Sequence, residues 1–583
     1  MNEPLPFWTQ RRALVALAAI TALGACFRFY NLSWGAPYYH FHIDEHFVFS
    51  SADMLRRDPH EAAMSPKFFM YSPLLPYLIN IARSIYEALA HPLNLGVPKD
   101  EVTYMVLGRA LSATFGTATI LLVYAIGARV FGRLAGLLSA CFLATAVLHL
   151  RDSHFATTDM AMTFFAVLAL WFSLRIVERG DIGSLVGAGL AFGGAILCKY
   201  TGAFSIGVVG VAYLLSPRRP KSLQPIAAWV GWVARGVLPI VIGVAAFLIL
   251  DPLSWRYAGK FQADIKEWVT DPLTGVTKPI WAAHFSDIGV PELYWFTNLL
   301  WWGLGPALEV LGLVGIVWLI SRWEKRAAVI AAFPIIYFLA AGRSIAPFAR
   351  YSIALTPALS ITAGVVAAAW LAQPRGRWLA RIVVGAAVIS TFLYAVAYMN
   401  VFRQPDSRLQ ASAWIATNIP AGARVLVEPS QNTPPMGEYL TDMDFNHDYV
   451  FWGGYRREEA ERERTDVYHR FTLDTYKYLY NDEIPDAEKK RYIASRLAET
   501  DWIVTDDTLM QFYQHLPTSR HRLVKEFYRD LLAGRLGFTL VRTFKVYPSL
   551  FGKDINDDGA ELTFRLFDHP RVFIFMRSVP VAR

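Results

Sequence analysis

The stretch ALVALAAITALGACFRFY, residues 13–30, decides the fold class of this chain. It is long enough to cross a bilayer, because about 20 apolar residues in a helix span roughly 30 Å of hydrocarbon. Ten further apolar runs follow, at 106–128, 134–150, 159–177, 183–198, 202–216, 226–250, 305–321, 327–342, 352–371 and 380–400. The sequence therefore predicts a polytopic α-helical membrane protein of about eleven spans.

Composition and charge support this class and exclude another. Of the 583 residues, 54% are hydrophobic and only 18% are charged, and the mean hydropathy is +0.30. The net charge of +8 comes from short basic clusters at the ends of apolar runs, which is typical of topology signals at a membrane surface. We expect no nucleic-acid binding, since no basic stripe is present. The three cysteines all lie in apolar segments and indicate no disulfide framework.

The distribution of basic residues predicts the orientation of the chain. Arg11 and Arg12 precede the first span, so the positive-inside rule places the N-terminus in the cytoplasm. Alternation of the spans then puts a large loop, 31–105, and a second loop, 251–304, on the outer side of the cell (inner) membrane. Within the first loop, residues 70–89 are interrupted by proline and charge, and we expect an amphipathic helix that lies in the membrane interface.

The chain changes character after the last apolar run. Residues 407–429 have the pattern of an amphipathic helix, a Pro-Ala-Gly turn and a strand, and 501–507 and 571–577 resemble further strands. Residues 451–500 are charged and have a helical pattern. We therefore expect two domains, a membrane domain over 1–401 and a soluble extracytoplasmic α/β domain over 402–583.

An acidic pair follows the first span directly, in the segment FHIDEHF, residues 41–47. Asp44 and Glu45 are flanked there by His42 and His46. An ordinary solvated loop would explain the pair, but carboxylates at the edge of a membrane are also common at functional sites.

A second polar cluster is predicted to lie on the same side of the membrane. Asp159 opens the fourth span, and Arg151, Asp152 and His154 lie in the short connection before it. A simple capping role for Asp159 stays open, because a carboxylate at a helix N-terminus is favoured by the helix dipole.

Cations are predicted at the same boundary. Lys199 stands at one outer span end, and Arg350 with Tyr351 stands at another. Each basic residue alone could simply extend its charge to the interface. Together with the acids they suit an anionic lipid head group and a nucleophile that needs a base.

Other cofactor motifs fail. No P-loop, GxGxxG, HExxH or GxSxG pattern occurs. The segment GKDINDDGAE, residues 552–561, begins like a calcium loop, but Arg565 occupies the twelfth position, where a glutamate is expected, so a polar turn is favoured. His42 and His46 with the nearby acids leave a divalent metal open, although their spacing is not diagnostic.

The ordered set of these motifs resembles glycosyltransferase family 39. The shared features are the acidic pair after the first span, YSPLLPYL (71–78), Arg109 in the second span, Asp159, the KY pair at 199–200, and Arg350, Tyr351 and Pro357. The family includes protein O-mannosyltransferases and bacterial lipid A aminoarabinose transferases with the GT-C membrane fold. The resemblance covers about residues 10–400, and the tail is similar to the extra-membrane domain of bacterial members. Ser72-Pro73-Leu74 stands where the family usually has Pro-Pro-Leu, which leaves the acceptor class open.

The resemblance implies an inverting transfer of a sugar from a polyprenyl-phosphate carrier to a hydroxyl of a protein, lipid or glycan, on the outer side of the membrane. It implies that Asp44 is the general base and that Glu45 and Asp159 position the acceptor or hold the loop. It further implies that Lys199, Arg350 and Tyr351 stabilise the departing lipid phosphate. Positioning of the acceptor or the loop is expected of five more residues, which are His42, His46, Tyr71, Arg151 and His154.

Two alternatives remain at this stage. A lipid-linked glycan transporter or flippase would also place ionisable groups near lipid, but it predicts charges in the middle of spans. A non-catalytic scaffold whose outer domain binds a partner is the second. The charges gather at span ends, which favours an enzyme that works at the interface.

Overall fold

The computed structural model describes residues 9–35, 42–65, 68–90, 101–221, 224–271, 285, 288–342, 344, 346–428, 432–436, 468–473, 484–514 and 518–578. The chain divides into two compact units. The first comprises Met1–Leu32, Asp44–Thr277 and Pro291–Val396, and the second comprises Ser33–Ile43, Lys278–Val290 and Ala397–Arg583. The predicted domain boundary at residue 401 stays a prediction.

The first unit is built from helices. They are α1 (Gln10–Phe29), α2 (Ile43–Arg57), α3 (Pro59–Met64), α4 (Leu74–Ala90), α5 (Glu101–Phe131), α6 (Arg133–Thr145), α7 (Val147–Asp152), α8 (Thr158–Arg179), α9 (Ile182–Cys198), α10 (Ser205–Leu214), α11 (Ile226–Leu250), α12 (Pro252–Arg256), α13 (Ala258–Ile265), α14 (Pro291–Tyr294), α15 (Leu300–Leu304), α16 (Pro306–Ser321), α17 (Lys325–Ala341), α18 (Leu355–Ala372) and α19 (Arg377–Arg403), the last of which continues into the second unit. Short 3₁₀ segments lie at Phe68–Met70, Tyr200–Phe204 and Ala349–Ser352, and π-helical turns lie at Lys266–Thr270 and Trp295–Leu299.

The predicted class, a polytopic helical membrane protein, is confirmed. Among the described residues, 6 helices are long and apolar enough to cross a membrane, and four shorter apolar helices accompany them. The run predicted as one span over 134–150 is divided at Ala146, where the backbone turns extended between α6 and α7. The run 202–216 begins as a 3₁₀ segment before α10. The count of eleven spans therefore stays a prediction.

Small residues let these helices approach each other closely. A Cβ atom added to Gly364 of α18 would overlap the backbone of Ser139 on α6. A Cβ atom added to Gly315 of α16 would overlap the backbone of Thr362 on α18. Such close backbone contacts are the usual basis of helix packing in membranes, where burial of apolar side chains gives little advantage over lipid.

The loop after the first span is held by two packed helices. Helix α4 confirms the amphipathic helix predicted for 70–89. Its residues Leu75 and Ile79 pack against Val48 and Ala52 of α2 in one buried cluster. This packing fixes the position of α2, whose first turn carries both Asp44 and Glu45.

The second unit contains an α/β domain, as predicted. Its strands are β1 (Arg424–Val427), β2 (His469–Thr472), β3 (Trp502–Asp506), β4 (Phe538–Phe544), β5 (Ser549–Leu550), β6 (Lys553–Asp554) and β7 (Val572–Arg577), and its helices after α19 are α20 (Ser407–Asn418), α21 (Asp486–Ala498), α22 (Asp507–Gln514), α23 (Thr518–Leu532) and α24 (Leu562–Arg565). Five strands form one sheet in the order β2-β1-β3-β7-β4, and β5 pairs with β6 as a hairpin. Strands β1, β2 and β3 are parallel, whereas β7 is antiparallel to both of its neighbours.

Helices cover both faces of this sheet because its central strands are apolar on both sides. Leu426 and Ile503 face a cluster that includes Phe527 of α23. Val425 and Val504 face the opposite cluster, which includes Ile415 of α20. This follows from the period of two residues in a strand, and continuous apolar strands are typical of parallel sheets that are buried on both faces.

Within residues 451–500 the helical prediction is partly wrong. Helix α21 lies there as expected, but His469–Thr472 form the edge strand β2. This strand is only four residues long and pairs with β1 alone, so its position is set by the sheet and not by a local pattern. Residues 437–467 lie outside the described part of the chain.

The segment that begins like a calcium loop has its carboxylates engaged by protein groups. Asp557 pairs with His569 at 2.8 Å, and Asp558 pairs with Arg571 at 2.9 Å. Asp558 also accepts a hydrogen bond from Tyr547. These contacts agree with the predicted polar turn.

Candidate active site

Asp44 lies at the start of α2, where a carboxylate is favoured by the helix dipole. The hydroxyl of Tyr71 donates a hydrogen bond of 2.7 Å to its Oδ1 atom. The guanidinium of Arg350 forms an ion pair with its Oδ2 atom. The early acid and the late arginine, separated by about three hundred residues of sequence, are therefore in direct contact.

Arg350 and Tyr351 are presented by the 3₁₀ segment Ala349–Ser352, between α17 and α18. The guanidinium of Arg350 stacks near two rings, 5.5 Å from the centroid of Phe348 and 5.7 Å from that of Tyr351. The ammonium of Lys199 lies 5.3 Å from the centroid of the same Tyr351 ring. Tyr351 therefore stands between two cations.

Lys199 leads to the second acid. It caps the C-terminus of α9, and its Nζ atom lies 2.6 Å from Oδ1 of Asp159 in the first turn of α8. Asp44, Arg350, Tyr351, Lys199 and Asp159 thus form a continuous row of contacts, which we call the ion row. An acid stands at each end and the aromatic ring stands in the middle.

The cations of the ion row are more accessible than its acids. The side chains of Arg350 and Lys199 are 19% and 20% exposed, whereas those of Asp44 and Asp159 are 5% and 3% exposed. Positive charge can therefore meet an incoming anion without unfolding of the site. The acids, in contrast, are almost fully buried.

Glu45 makes a different kind of contact. Arg109 of α5 binds it through two parallel hydrogen bonds, of 2.8 Å and 2.9 Å, and the amide of Ala156 donates a third bond of 2.7 Å. Both side chains are almost fully buried. Such a bidentate, enclosed pair fixes geometry. It suits the role of holding the loop, since it joins α2, α5 and the turn before α8.

The hydroxyl of Tyr71 is a hydrogen-bond donor that does not ionise near neutral pH. Burial raises the pKa of Tyr71 well above its usual value, and the nearby Tyr351 and Asp159 raise it further. Its ring also stacks on Phe47 at 5.7 Å. The hydroxyl therefore stays protonated and supplies a fixed hydrogen bond to Asp44.

Three other predicted residues contact groups outside the ion row. Arg151 pairs with its neighbour Asp152 at 2.6 Å. His154 contacts the backbone carbonyl oxygens of Leu150 and Tyr30. His46 contacts the hydroxyl of Ser50 at 3.2 Å, on its own helix. These contacts are local or structural.

His42 is assigned to the second unit, where its ring stacks on Phe567 at 3.8 Å. It is therefore not grouped with Asp44, although the two are neighbours in sequence. Among the described residues, no group of three or more histidine, cysteine or acidic side chains could hold a metal ion.

Sequence reasoning missed the roles of two buried arginines and one buried acid. Arg109 is the partner of Glu45, and a search for the partner of a buried arginine could have found it. Arg28 of α1 donates to the carbonyl oxygens of Gly24, Leu143 and Ala144. The missed acid is Asp251, which lies directly after α11. Burial raises the pKa of Asp251 to about 6.

Comparison with known proteins gives one sequence match and several fold similarities. Residues 104–247 match the family described as dolichyl-phosphate-mannose-protein mannosyltransferase. This segment includes Arg109, Asp159 and Lys199. No curated protein sequence matches the chain.

Two solved structures are similar in fold. The apo oligosaccharyltransferase of Archaeoglobus fulgidus is 16% identical, with 94% of this chain and 76% of that chain covered and a TM-score of 0.49. ArnT from Cupriavidus metallidurans, bound to undecaprenyl phosphate, is 15% identical, with 96% and 97% covered and a TM-score of 0.46. Both scores lie below 0.5 and decide nothing about chemistry.

The family match confirms the resemblance that the motifs predicted, and it does so over the helices that carry Arg109, Asp159 and Lys199. Over residues 104–247 this multi-pass membrane chain is therefore similar in sequence to the dolichyl-phosphate-mannose-protein mannosyltransferase family.

Proposed function

We propose that the chain transfers a sugar from a polyprenyl-phosphate donor to an acceptor hydroxyl, with inversion at the anomeric carbon and with Asp44 as the general base. The observation that carries the proposal is the ion row, in which an acid and two partly exposed cations lie side by side. The matched family uses a lipid-phosphate sugar by its description, which supports a donor of this class.

The reaction balances within the row. The acceptor oxygen attacks the anomeric carbon, and its proton passes to a carboxylate oxygen of Asp44. The bond between that carbon and the phosphate oxygen breaks, and the electron pair stays on the phosphate. Arg350 and Lys199 meet this developing charge, and such electrostatic stabilisation is worth about 3 kcal/mol for each well-placed group.

The contact between Asp44 and Arg350 adds a condition to this scheme. A base that is paired with a guanidinium is a weak proton acceptor, because the positive charge favours the ionised carboxylate. A donor phosphate competes for the same guanidinium, since arginine binds phosphate as readily as carboxylate. In our scheme the donor draws Arg350 away and leaves Asp44, still held by Tyr71, free to accept the proton.

Glu45 and Asp159 have supporting roles in the proposal. Glu45 is enclosed by Arg109 and the amide of Ala156, so it holds the loop and does not reach the acceptor. Asp159 orients Lys199 toward the ring of Tyr351. We place the reaction at the extracytoplasmic face of the inner membrane, with the N-terminus in the cytoplasm, on the basic residues that precede the first span.

The test uses the full chain in lipid nanodiscs, supplied with polyprenyl-phosphate sugars, and measures release of polyprenyl phosphate with a hydroxyl acceptor. Asp44→Asn should lower the rate by about 10²–10⁴-fold, as expected for loss of a general base. Asp53→Asn is the matched control, because Asp53 lies on the same helix and pairs with Arg57 at 2.6 Å. Its rate should stay near that of the unmodified chain.

The same assay separates the alternatives. A flippase would move the labelled lipid between leaflets without releasing lipid phosphate, and that movement would persist in Asp44→Asn. A scaffold would do neither. Full transfer activity in Asp44→Asn would remove Asp44 as the base.

A further inference from the structure

The hairpin of residues 549–554, which we call the Phe551 hairpin, has an unusual residue at its tip. Strands β5 and β6 pair Ser549 with Asp554 and Leu550 with Lys553, so Phe551 and Gly552 form a two-residue turn. Both have positive φ, 51° for Phe551 and 77° for Gly552. This turn normally uses asparagine or aspartate followed by glycine, because a bulky residue is strained at positive φ.

The ring at this position is hardly buried by the described residues. Phe551 is 91% exposed, whereas an aromatic side chain of this size usually lies in a core. A residue that is strained and also unburied is best explained by a contact outside the folded chain. The neighbouring Leu550 is partly exposed and Lys553 is exposed, so the tip combines apolar surface with a positive charge.

The position of the hairpin indicates what Phe551 contacts outside the folded chain. The side-chain amide of Asn400, near the end of α19, donates a hydrogen bond of 2.6 Å to the hydroxyl of Ser549. Helix α19 starts among the basic residues Arg375, Arg377 and Arg381. About 20 residues from Arg381 cover the roughly 30 Å of a bilayer core, and they end close to Asn400.

The base of the hairpin is therefore hydrogen-bonded to the residue at which this membrane-crossing length of α19 ends. Phe551 is only two residues from Ser549, which in a strand is about 7 Å. Aromatic rings next to lysine are favoured at this depth, because the ring enters the acyl boundary while the ammonium meets lipid phosphate.

We propose that the Phe551 hairpin inserts its tip into the head-group region of the lipid bilayer and so anchors the α/β domain to the membrane at the end of α19. The proposal is independent of the transferase activity. A second exposed aromatic residue offers an internal reference. Trp323 has φ of 54° and is 93% exposed in the turn between the apolar helices α16 and α17.

The test measures where position 551 lies relative to lipid. The three native cysteines are replaced, and single nitroxide labels are placed through Phe551→Cys, Trp323→Cys and Arg522→Cys. Arg522, on α23 of the α/β domain, has a side chain that is 76% exposed and serves as the aqueous control. The full chain is studied in nanodiscs of phosphatidylethanolamine and phosphatidylglycerol, with oxygen and a water-soluble nickel chelate as relaxation agents.

The label at 551 should favour oxygen over the chelate severalfold more than the label at 522, and it should resemble the label at 323. Equal access of the chelate at 551 and 522 would overturn the proposal. Protection of 551 from both agents would also overturn it, since the tip would then be covered by protein.

A substitution provides the independent check. Phe551→Asn should keep the hairpin and raise its thermal stability, because asparagine tolerates positive φ. In that background a label at Lys553→Cys should lose its preference for oxygen. Phe551→Trp should retain it. An unchanged preference in the asparagine variant would also contradict the anchor.

Discussion

The two units contain charge clusters of opposite character. In the first unit, the ion row pairs buried acids with cations that are about one-fifth exposed. In the second unit, His569 lies between Asp557 at 2.8 Å and Asp568 at 3.0 Å, and all three side chains are 0% exposed. Tyr398 donates a further hydrogen bond to Asp568, which ties the end of α19 to this cluster.

The difference in exposure distinguishes cations that can exchange their carboxylate partner for a ligand from pairs that hold the fold. A partly exposed cation can leave its carboxylate for an anionic ligand, because water and the ligand replace the lost contact. An enclosed pair cannot, since loss of one partner leaves an uncompensated buried charge. We therefore expect substitutions in the ion row to change activity, and substitutions in enclosed pairs to change stability.

The largest effect is expected at Arg109, which forms an enclosed pair with Glu45 inside the first unit. Arg109→Met should lower the stability of the folded chain by about 3–5 kcal/mol, because Glu45 would stay buried without its cation. Thermal unfolding in detergent measures this loss. The double variant Glu45→Leu/Arg109→Met should recover part of the stability, and a double variant as unstable as the single one would contradict the argument.

Arg350→Ala should show the opposite behaviour. We expect a loss of about 10²–10³-fold in the rate at low donor concentration, as for removal of one stabilising group at a developing oxyanion. Thermal stability should change little. Arg350→Lys should restore part of the rate, because lysine keeps the charge but not the two-bond geometry. A loss that depends on acceptor concentration alone would show that Arg350 does not serve the donor.

The cluster around His569 predicts a pH dependence. Burial alone would lower the pKa of His569, but the carboxylates of Asp557 and Asp568 outweigh it and raise the pKa to about 9. The stabilisation from charged His569 is therefore complete below pH of about 6.5, the unfolded value, and is lost as pH rises through about 9. Thermal unfolding of the second unit across this range should show the decline.

His569→Asn should flatten that decline between pH of about 6.5 and 9, since the titrating group is removed. His469→Asn is the matched control, because His469 is exposed on β2 of the same unit. A decline of the same slope in His569→Asn would assign the pH dependence to other groups.

Part of this arrangement was predictable from sequence and part was not. Apolar runs and basic clusters predict the membrane class, and acids or cations at span ends predicted Asp44, Asp159, Lys199 and Arg350 as neighbours. The pairing of Glu45 with Arg109 was not predicted. A pattern of spans indicates how deep a residue lies in the membrane, but it does not indicate which helix faces contact each other.

Proximity in sequence also misled the prediction at one point. His42 stands two residues before Asp44, yet it is grouped with the second unit and stacks on Phe567. The edge strand β2 was missed for a related reason, since its pairing with β1 is set by tertiary packing. The order of the motifs was informative because most of them mark a span end, whereas the flanking residues carried no such constraint.

The smallest effect is expected at Tyr71, which contacts the ion row without carrying charge. Its hydroxyl donates a hydrogen bond of 2.7 Å to Asp44. A hydrogen bond to a charged group contributes about 1.5–3 kcal/mol. Tyr71→Phe should therefore slow transfer by about 10- to 150-fold, with little change in stability. Because the lost bond favours the ionised carboxylate, the acidic limb of the pH–rate profile should also move to higher pH.

Tyr77→Phe is the matched control, since Tyr77 lies on the neighbouring helix α4 and packs against the cluster that contains Phe68 and Leu253. A purely structural role for Tyr71 would lower the yield of folded protein and leave the pH–rate profile in place. A shifted profile without loss of folded protein would instead assign Tyr71 to the positioning of the base. That result would extend the comparison of the two clusters to an uncharged group, with the same distinction between contacts that serve the reaction and contacts that hold the fold.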